Sequence, residues 1–208
     1  MHQLSRWSLL SLLILCNSGI ADNSQGSPQL AEWFERGTDL ISPYAIYIDA
    51  PPADASTATA VNELEEGIDL LSKVVDAQPE NWAAYWFIGK AYQALKQHQA
   101  SVNAFRESYA IHRENPDVGR ELVIELVCIG DTEGAVVVAA ELVSDHPYAA
   151  DLIANLGFAY LTNDQLDEAS DAIDDSLRLA PRDPITRNMR NEINAVRNGK
   201  PPAQYCPY

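Results

Sequence analysis

A pattern that returns every 34 residues limits what this chain can fold into more than any other feature. Small residues recur at that interval: Gly67, Ser101, Ala135 and Ala169. Apolar residues recur four positions later: Leu71, Phe105, Ala139 and Ile173. A period of 20–50 residues is typical of stacked repeats, in which each unit buries its apolar face against the next one.

The segments between these positions have helical character. Pro79, Pro147 and Pro181 each lie just past an apolar segment, where proline cannot continue a helix. No stretch alternates with period two for long enough to form a sheet. The sequence therefore predicts an all-α fold. The helices are expected near residues 60–77, 81–95, 98–113, 116–129, 132–145, 148–162, 165–179 and 184–198.

The spacing of large and small residues within these helices resembles the tetratricopeptide repeat. One set of matches lies in the first helix of a repeat: Tyr85, Ile88-Gly89 and Tyr92, then Ile153, Leu156-Gly157 and Tyr160. A second set lies in the second helix: Ser101, Phe105 and Ser108, then Ala169, Ile173, Ser176 and Pro181. The third repeat departs from the pattern, with Val123 where glycine is usual and Gly119 where a bulky residue is usual. The resemblance implies a right-handed α-solenoid of helix-turn-helix units with a C-terminal capping helix.

This resemblance also divides the chain into parts. The repeat array is expected over residues 60–181, with units near 60–79, 82–115, 116–147 and 148–181. A capping helix at 182–198 and a tail at 199–208 follow it. A linker at 22–28 and a divergent segment at 29–59 precede it, and that segment combines a helix with a proline-bracketed insertion at 43–59.

The N-terminus is typical of a secretory signal. Arg6 precedes a short apolar core at 9–16, and small residues lead up to Ala21. The core is shorter than the roughly 20 residues that a spanning helix needs, so we expect residues 1–21 to be cleaved and the protein to be exported, to the periplasm or outside the cell. The alternative is a lipoprotein anchored through Cys16, although Leu15 stands where a small residue is usual.

Composition argues against several functions. The net charge is −16, from 30 acidic and 14 basic residues, whereas nucleic acid and anionic membranes need a basic face. No glycine-rich phosphate loop or serine elbow is present, and no metal-ligand spacing joins His98, His112 and His146. We therefore expect no catalysis, cofactor, metal or small-molecule substrate.

In proteins with this repeat, the first helix of each unit lines a concave groove. The resemblance assigns nine residues to that groove: Trp86, Lys90, Gln93, Arg120, Ile124, Val127, Asn155, Phe158 and Leu161. Exposed apolar groups beside arginine and asparagine would suit a peptide, and Lys90, Arg120 and Asn155 loosely resemble a set that grips a terminal carboxylate. The alternative is that Trp86 and Phe158 are covered by the 44–48 segment or by the tail.

Cys128 and Cys206 remain once the signal is removed. About nine residues separate the last helix from Cys206, which gives a reach of up to roughly 30 Å. The tail could therefore lie across the groove with the two cysteines paired, or else Cys128 is buried and the tail is disordered.

The sequence thus favours an exported module that binds a protein or peptide partner of unknown identity. Two other readings stay open. One is a structural or assembly subunit with a self-filled groove. The other is an immunity-type inhibitor of a secreted enzyme, whose basic site the acidic chain would neutralise.

Overall fold

The computed structural model describes residues 27–45, 52–201, 203, 205 and 206. Those residues form nine α-helices and no strand. The helices are α1 (Pro28–Ile41), α2 (Ala58–Ala77), α3 (Trp82–Ala94), α4 (His98–Ile111), α5 (Pro116–Cys128), α6 (Thr132–Asp145), α7 (Ala150–Thr162), α8 (Leu166–Leu179) and α9 (Pro184–Arg197). The predicted all-α class is confirmed, and the ends of α2 to α9 lie within two residues of the predicted ones.

The helices pack as successive antiparallel hairpins. α1 packs on α2, α3 on α4, α5 on α6 and α7 on α8, and each hairpin also packs on the next one. First helices also contact one another, namely α1 with α3, α5 with α7, and α7 with α9. The first helices therefore share one face of the stack, and the second helices lie behind them.

Close contact within the hairpins depends on glycine residues, which have no Cβ. A Cβ added at Gly89 would lie 2.6 Å from the ring of Phe105, and one at Gly157 would lie 2.8 Å from Ile173. Phe105 and Ile173 are fully buried. The large side chain of the second helix thus fills the space that glycine leaves on the first, at interior packing density.

The third hairpin makes the same contact one turn away. Val123 and Ala139 occupy the positions of Gly89 and Phe105, so large and small have changed places. A turn earlier Gly119 replaces a bulky residue, and Leu142 lies against it, 2.6 Å from where a Cβ would be. In the neighbouring hairpins the positions matching Leu142 are serines, Ser108 and Ser176. These hydroxyls donate to backbone carbonyls of the facing helix instead, at 2.9 and 2.7 Å.

The first hairpin keeps this packing although its connection is long. A Cβ at Gly37 would meet Leu71 at 2.8 Å, and one at Gly67 would meet Ile41 at 2.7 Å. The connection closes on itself where the Ala53 N–H donates to the Pro43 carbonyl oxygen at 2.8 Å. α1 and α2 therefore still pack as a repeat unit.

The turns inside the hairpins also repeat every 34 residues. Lys96, Gly130 and Asp164 each adopt a left-handed backbone, with φ of 59°, 81° and 59°. Only glycine adopts this region at little cost. The same turn geometry therefore recurs in three successive hairpins, although glycine occurs in only one of them.

α9 closes the C-terminal end of the stack. Ile193 is buried there against Ile173 and Leu177 of α8. Arg190 pairs with Asp174, and Arg197 with Asp167 at 2.5 Å. The acidic α8 and the basic α9 therefore lie side by side, and their exposed ion pairs each contribute little.

Some sequence predictions fall on residues that the structure does not describe. These are the signal at 1–21 with Cys16, most of the linker, and the insertion residues 46–51. Among the described helices, none combines the length and apolar character that crossing a membrane requires.

The exchanged contact in the third hairpin can be tested by restoring the pattern of the fourth. We expect Gly119→Ile to cost about 1–3 kcal/mol by overpacking against Leu142, and Leu142→Ser to cost about 2–5 kcal/mol by emptying the site. The double variant should be more stable than the sum of these two losses predicts. The difference should be about 1 kcal/mol or more, which is the usual size of a coupling between residues in contact. Urea denaturation of the four proteins measures this coupling. Additivity within about 0.5 kcal/mol would show that the two side chains do not share one site.

Candidate binding groove

Six of the nine predicted groove residues are partly exposed on the shared face of the first helices. These are Trp86 on α3, Arg120, Ile124 and Val127 on α5, and Asn155 and Phe158 on α7. The other three are buried: Lys90 and Gln93 are 1% exposed, and Leu161 is 2% exposed. The expectation that these three offer open surface is therefore wrong. Leu161 belongs to the apolar core between α7 and α9.

Lys90 and Gln93 are buried because they join α3 to α5 through a polar network. The Lys90 ammonium donates to Gln93 Oε1 at 3.1 Å and to Glu121 Oε1 at 2.8 Å. The Gln93 amide donates to Glu121 Oε2 at 3.1 Å and to Glu125 Oε1 at 3.0 Å. His98 Nδ1 lies 3.0 Å from Glu125 Oε2. We call these five residues the buried polar network.

Burial makes each member of this network depend on the others. Glu125 is fully buried and Glu121 is 15% exposed at its side chain, so their charges have little water around them. A buried charge is tolerated when it is paired and its remaining hydrogen-bonding positions are filled. Lys90 supplies the opposite charge, and the Gln93 amide hydrogen-bonds both carboxylates.

The remaining basic groove residue is also engaged by acids of this chain. The Arg120 guanidinium pairs with Asp117 at 2.5 Å and with Asp151 of α7 at 3.2 Å. Both cations of the loosely matched carboxylate-gripping set, Lys90 and Arg120, thus already hold carboxylates of the chain itself. An incoming carboxylate would have to displace those partners, which argues against such a grip.

Aromatic groups mark the groove at its two ends. Trp86 packs between the two apolar clusters on either side of α3, and its ring contacts the Phe87 ring edge-on at 5.0 Å. The Lys90 ammonium lies 5.5 Å from the centre of the Trp86 ring. At the other end, Phe158 on α7 contacts an aromatic ring of the C-terminal tail, that of Tyr205.

The C-terminal tail crosses the first helices from α9 to α5. The Ala203 N–H donates to Glu192 of α9 at 3.0 Å. Tyr205 then sets its ring edge-on to Phe158, with centroids 5.2 Å apart. Cys206 forms a disulfide with Cys128 at the end of α5, with Cα atoms 5.4 Å apart. The tail thus covers the α7 end of the groove.

The tail is only partly sealed against the helices. Burial, and next the neighbouring Glu192 carboxylate, raise the pKa of Tyr205 far above its ordinary value. A cavity of about 210 Å³ remains beside the ring, and both the tail and the ends of α5 and α7 line it. Its walls include Val127, Leu161, Tyr205 and Cys206.

Sequence reasoning missed most of the buried polar network. Glu121 and Glu125 interrupt the apolar run of α5 one helical turn apart, which is the one signal for them in the sequence. In the sequence, no metal-ligand spacing joins His98 to another histidine. The fold places it on Glu125 from a different helix.

Comparison with known proteins agrees with this arrangement. The family model for the tetratricopeptide repeat matches residues 83–115 and 150–183. No curated protein matches the chain in sequence.

Solved structures are similar to the chain in fold. MamA from Desulfovibrio magneticus RS-1 matches with a TM-score of 0.66 and 15% identity, over 83% of this chain and 87% of that one. Another MamA crystal structure matches with a TM-score of 0.60 and 13% identity, over 82% and 88% of the two chains. YrrB, described as a TPR protein with an unusual peptide-binding site, matches with a TM-score of 0.56 and 18% identity, over 66% and 76%.

The stacked hairpins, with their first helices on one face, define the class of α-solenoid repeat proteins. Within that class, two of the chain's hairpins match the tetratricopeptide-repeat model, and its fold is similar to that of a solved tetratricopeptide-repeat protein. This fold supports a protein–protein interaction module.

The buried polar network should matter more than exposed ion pairs do. We expect Lys90→Ala to cost about 3–5 kcal/mol, because it leaves the Glu121 charge without its buried partner. The matched control is Arg106→Ala, which removes a half-exposed pair with Asp131 and should cost less than about 1 kcal/mol. Urea denaturation at neutral pH measures both. Equal losses would mean that the network carries no special weight.

Proposed function

We propose that this protein is an exported interaction module that binds an extended segment of a partner protein across α3, α5 and α7. What carries the proposal is the tail, because the chain's own segment runs over the first helices and packs a tyrosine ring on Phe158. A face that accepts this segment has the width and the apolar surface to accept another one. YrrB, of similar fold, is described as having a peptide-binding site.

The contacts also favour one chemistry for the partner segment. Lys90 and Arg120 are paired with acids of the chain. The groove surface between these ion pairs is aromatic and aliphatic, and it is formed by Trp86, Ile124, Val127 and Phe158. Binding would therefore depend on an aromatic or large apolar anchor, the kind of residue that dominates interface energies. We propose no catalytic activity, since tetratricopeptide-repeat proteins are generally scaffolds.

Two features support export. The first 21 residues have the charge, apolar core and small residues of a cleaved signal. Cys128 and Cys206 form a disulfide, and such bonds persist mainly in oxidising compartments.

One observation favours a second candidate, a structural subunit whose groove is filled by its own tail. The disulfide holds the tail covalently over Phe158, so that end of the face is covered in the oxidised chain. In this reading the tail belongs to the core, and partners bind elsewhere.

A peptide with the tail sequence separates the two candidates. The probe is a fluorescent peptide of residues 199–208 with serine in place of the cysteine, and the protein is the full chain carrying Tyr205→Ala and Cys206→Ser. We expect saturable binding by fluorescence anisotropy. The affinity should fall at least tenfold when the peptide tyrosine is alanine or when the protein also carries Phe158→Ala, because each change removes the ring pair and the apolar area it buries.

Two controls make this result specific. Tyr148→Ala removes a tyrosine that is 85% exposed and should leave the affinity unchanged. The oxidised wild-type chain should bind the peptide at least tenfold more weakly, because its own tail competes at a high effective concentration. A Tyr205→Ala, Cys206→Ser chain that is folded but does not bind the peptide would refute the groove proposal and favour the structural candidate.

Export can be tested on the protein purified from its own cells. We expect a mature N-terminus at Asp22, read by N-terminal sequencing, and recovery in the fraction outside the cytoplasm. Incorporation of labelled palmitate, lost in the Cys16→Ser variant, would instead establish the lipid anchor. A cytoplasmic chain that keeps residues 1–21 would refute export.

A further inference from the structure

Three metal-binding side chains meet where the tail joins the repeat array. His98 Nδ1, a Glu125 carboxylate oxygen and Cys128 Sγ all lie within 4.8 Å of one another. Cys206 brings a second sulfur to the same point through its bond to Cys128. These residues come from α4, α5 and the tail, so no short sequence motif connects them.

The carboxylate is held as a metal ligand should be. Glu125 is fully buried, and its Oε1 accepts a hydrogen bond from Gln93 at 3.0 Å. Its Oε2 faces His98 Nδ1 at 3.0 Å. Ligands fixed by such outer hydrogen bonds bind metals 10–100 times more tightly, and here Gln93 fixes one oxygen while the other faces the histidine.

The donor set selects the metal. Two sulfurs, one imidazole nitrogen and one carboxylate oxygen are a tetrahedral set that suits Zn²⁺. Zinc bonds of about 2.0–2.3 Å place neighbouring ligand atoms about 3.3–3.8 Å apart. The ligand atoms of His98, Glu125 and Cys128 already lie within 4.8 Å of one another, and the two sulfurs can separate to that spacing once their bond is reduced.

We infer that the reduced chain binds Zn²⁺ through His98, Glu125, Cys128 and Cys206 at this junction. A dithiol reductant passes two electrons and two protons to the Cys128–Cys206 disulfide, and the reductant becomes a disulfide. Zn²⁺ then replaces the two thiol protons, which leave to solvent. His98 binds through Nδ1 and carries its proton on Nε2.

Disulfide and metal therefore exclude each other, yet each fixes the tail to α5. In the oxidised chain the sulfur–sulfur bond holds Cys206, and in the reduced chain the metal does. Tyr205 would stay on Phe158 in both states. The thiol form is also the one in which the chain is synthesised, so zinc would hold the junction before oxidation.

Co²⁺ serves as the probe, because its spectrum reports tetrahedral thiolate binding directly. The protein is the full chain with Cys16→Ser, reduced with a phosphine and kept anaerobic. We expect one equivalent of Co²⁺ to give ligand-field bands of a tetrahedral site and a thiolate-to-Co²⁺ charge-transfer band. Zn²⁺ should abolish both. The oxidised protein should give neither.

Variants identify the ligands, each checked for folding by circular dichroism. His98→Ala, Cys128→Ser and Cys206→Ser should each weaken Zn²⁺ binding at least tenfold in competition with a chromophoric chelator, and the cysteine variants should lower the charge-transfer intensity. His112→Ala, at the C-terminal end of α4, is the matched control and should bind as the parent does.

Two results would overturn the inference. One is a folded, reduced parent chain that shows no tetrahedral Co²⁺ spectrum. The other is a spectrum that His98→Ala leaves unchanged, since the histidine would then not be a ligand. X-ray absorption at the zinc edge gives an independent count, with two sulfur and two lighter ligands expected.

Discussion

The stack depends on how closely the two helices of each hairpin approach. Where Gly89 faces Phe105 and Gly157 faces Ile173, no Cβ separates the helices, and the opposing side chain fills the space. The same contact is made in the first hairpin by Gly37 and Leu71, across a long connection. In the third hairpin it is made by Gly119 and Leu142. What is kept is one small and one large partner, and the position along the helix can move by a turn.

Between hairpins the chain uses a different kind of contact at one joint. α3 and α5 are connected by long side chains, through Lys90, Gln93, Glu121 and Glu125. Such a network stabilises the fold less than an apolar interface of the same size would, because each charge loses its hydration. It also engages Lys90, and Arg120 is paired with Asp117 and Asp151, so the surface left for a partner is mainly aromatic and aliphatic. The internal joint and the chemistry of the proposed binding face are therefore linked.

Much of the fold follows from the sequence, because repeat spacing, proline positions and small residues are local signals. The helices of the array were predicted within two residues of where they lie. The groove followed less well. The helical positions of Lys90 and Gln93 place them on the groove side of α3. Their burial depends on Glu121 and Glu125, some 30 residues later in the chain, which periodicity cannot reveal. The proximity of Tyr205 to Phe158 likewise depends on the path of an irregular tail.

The bond between Cys128 and Cys206 changes the order in which the array can come apart. Repeat stacks ordinarily lose structure from either end, since each unit is held by its neighbours alone. Here 78 residues of sequence separation, from the end of α5 through α9, are closed into a covalent ring. In the chain-entropy model, that closure lowers the entropy of the unfolded chain and stabilises the folded state by about 4.5 kcal/mol. In the oxidised protein only the N-terminal end of the stack can therefore fray freely. Unfolding begins at α1 and α2, and the helices enclosed by the disulfide unfold last.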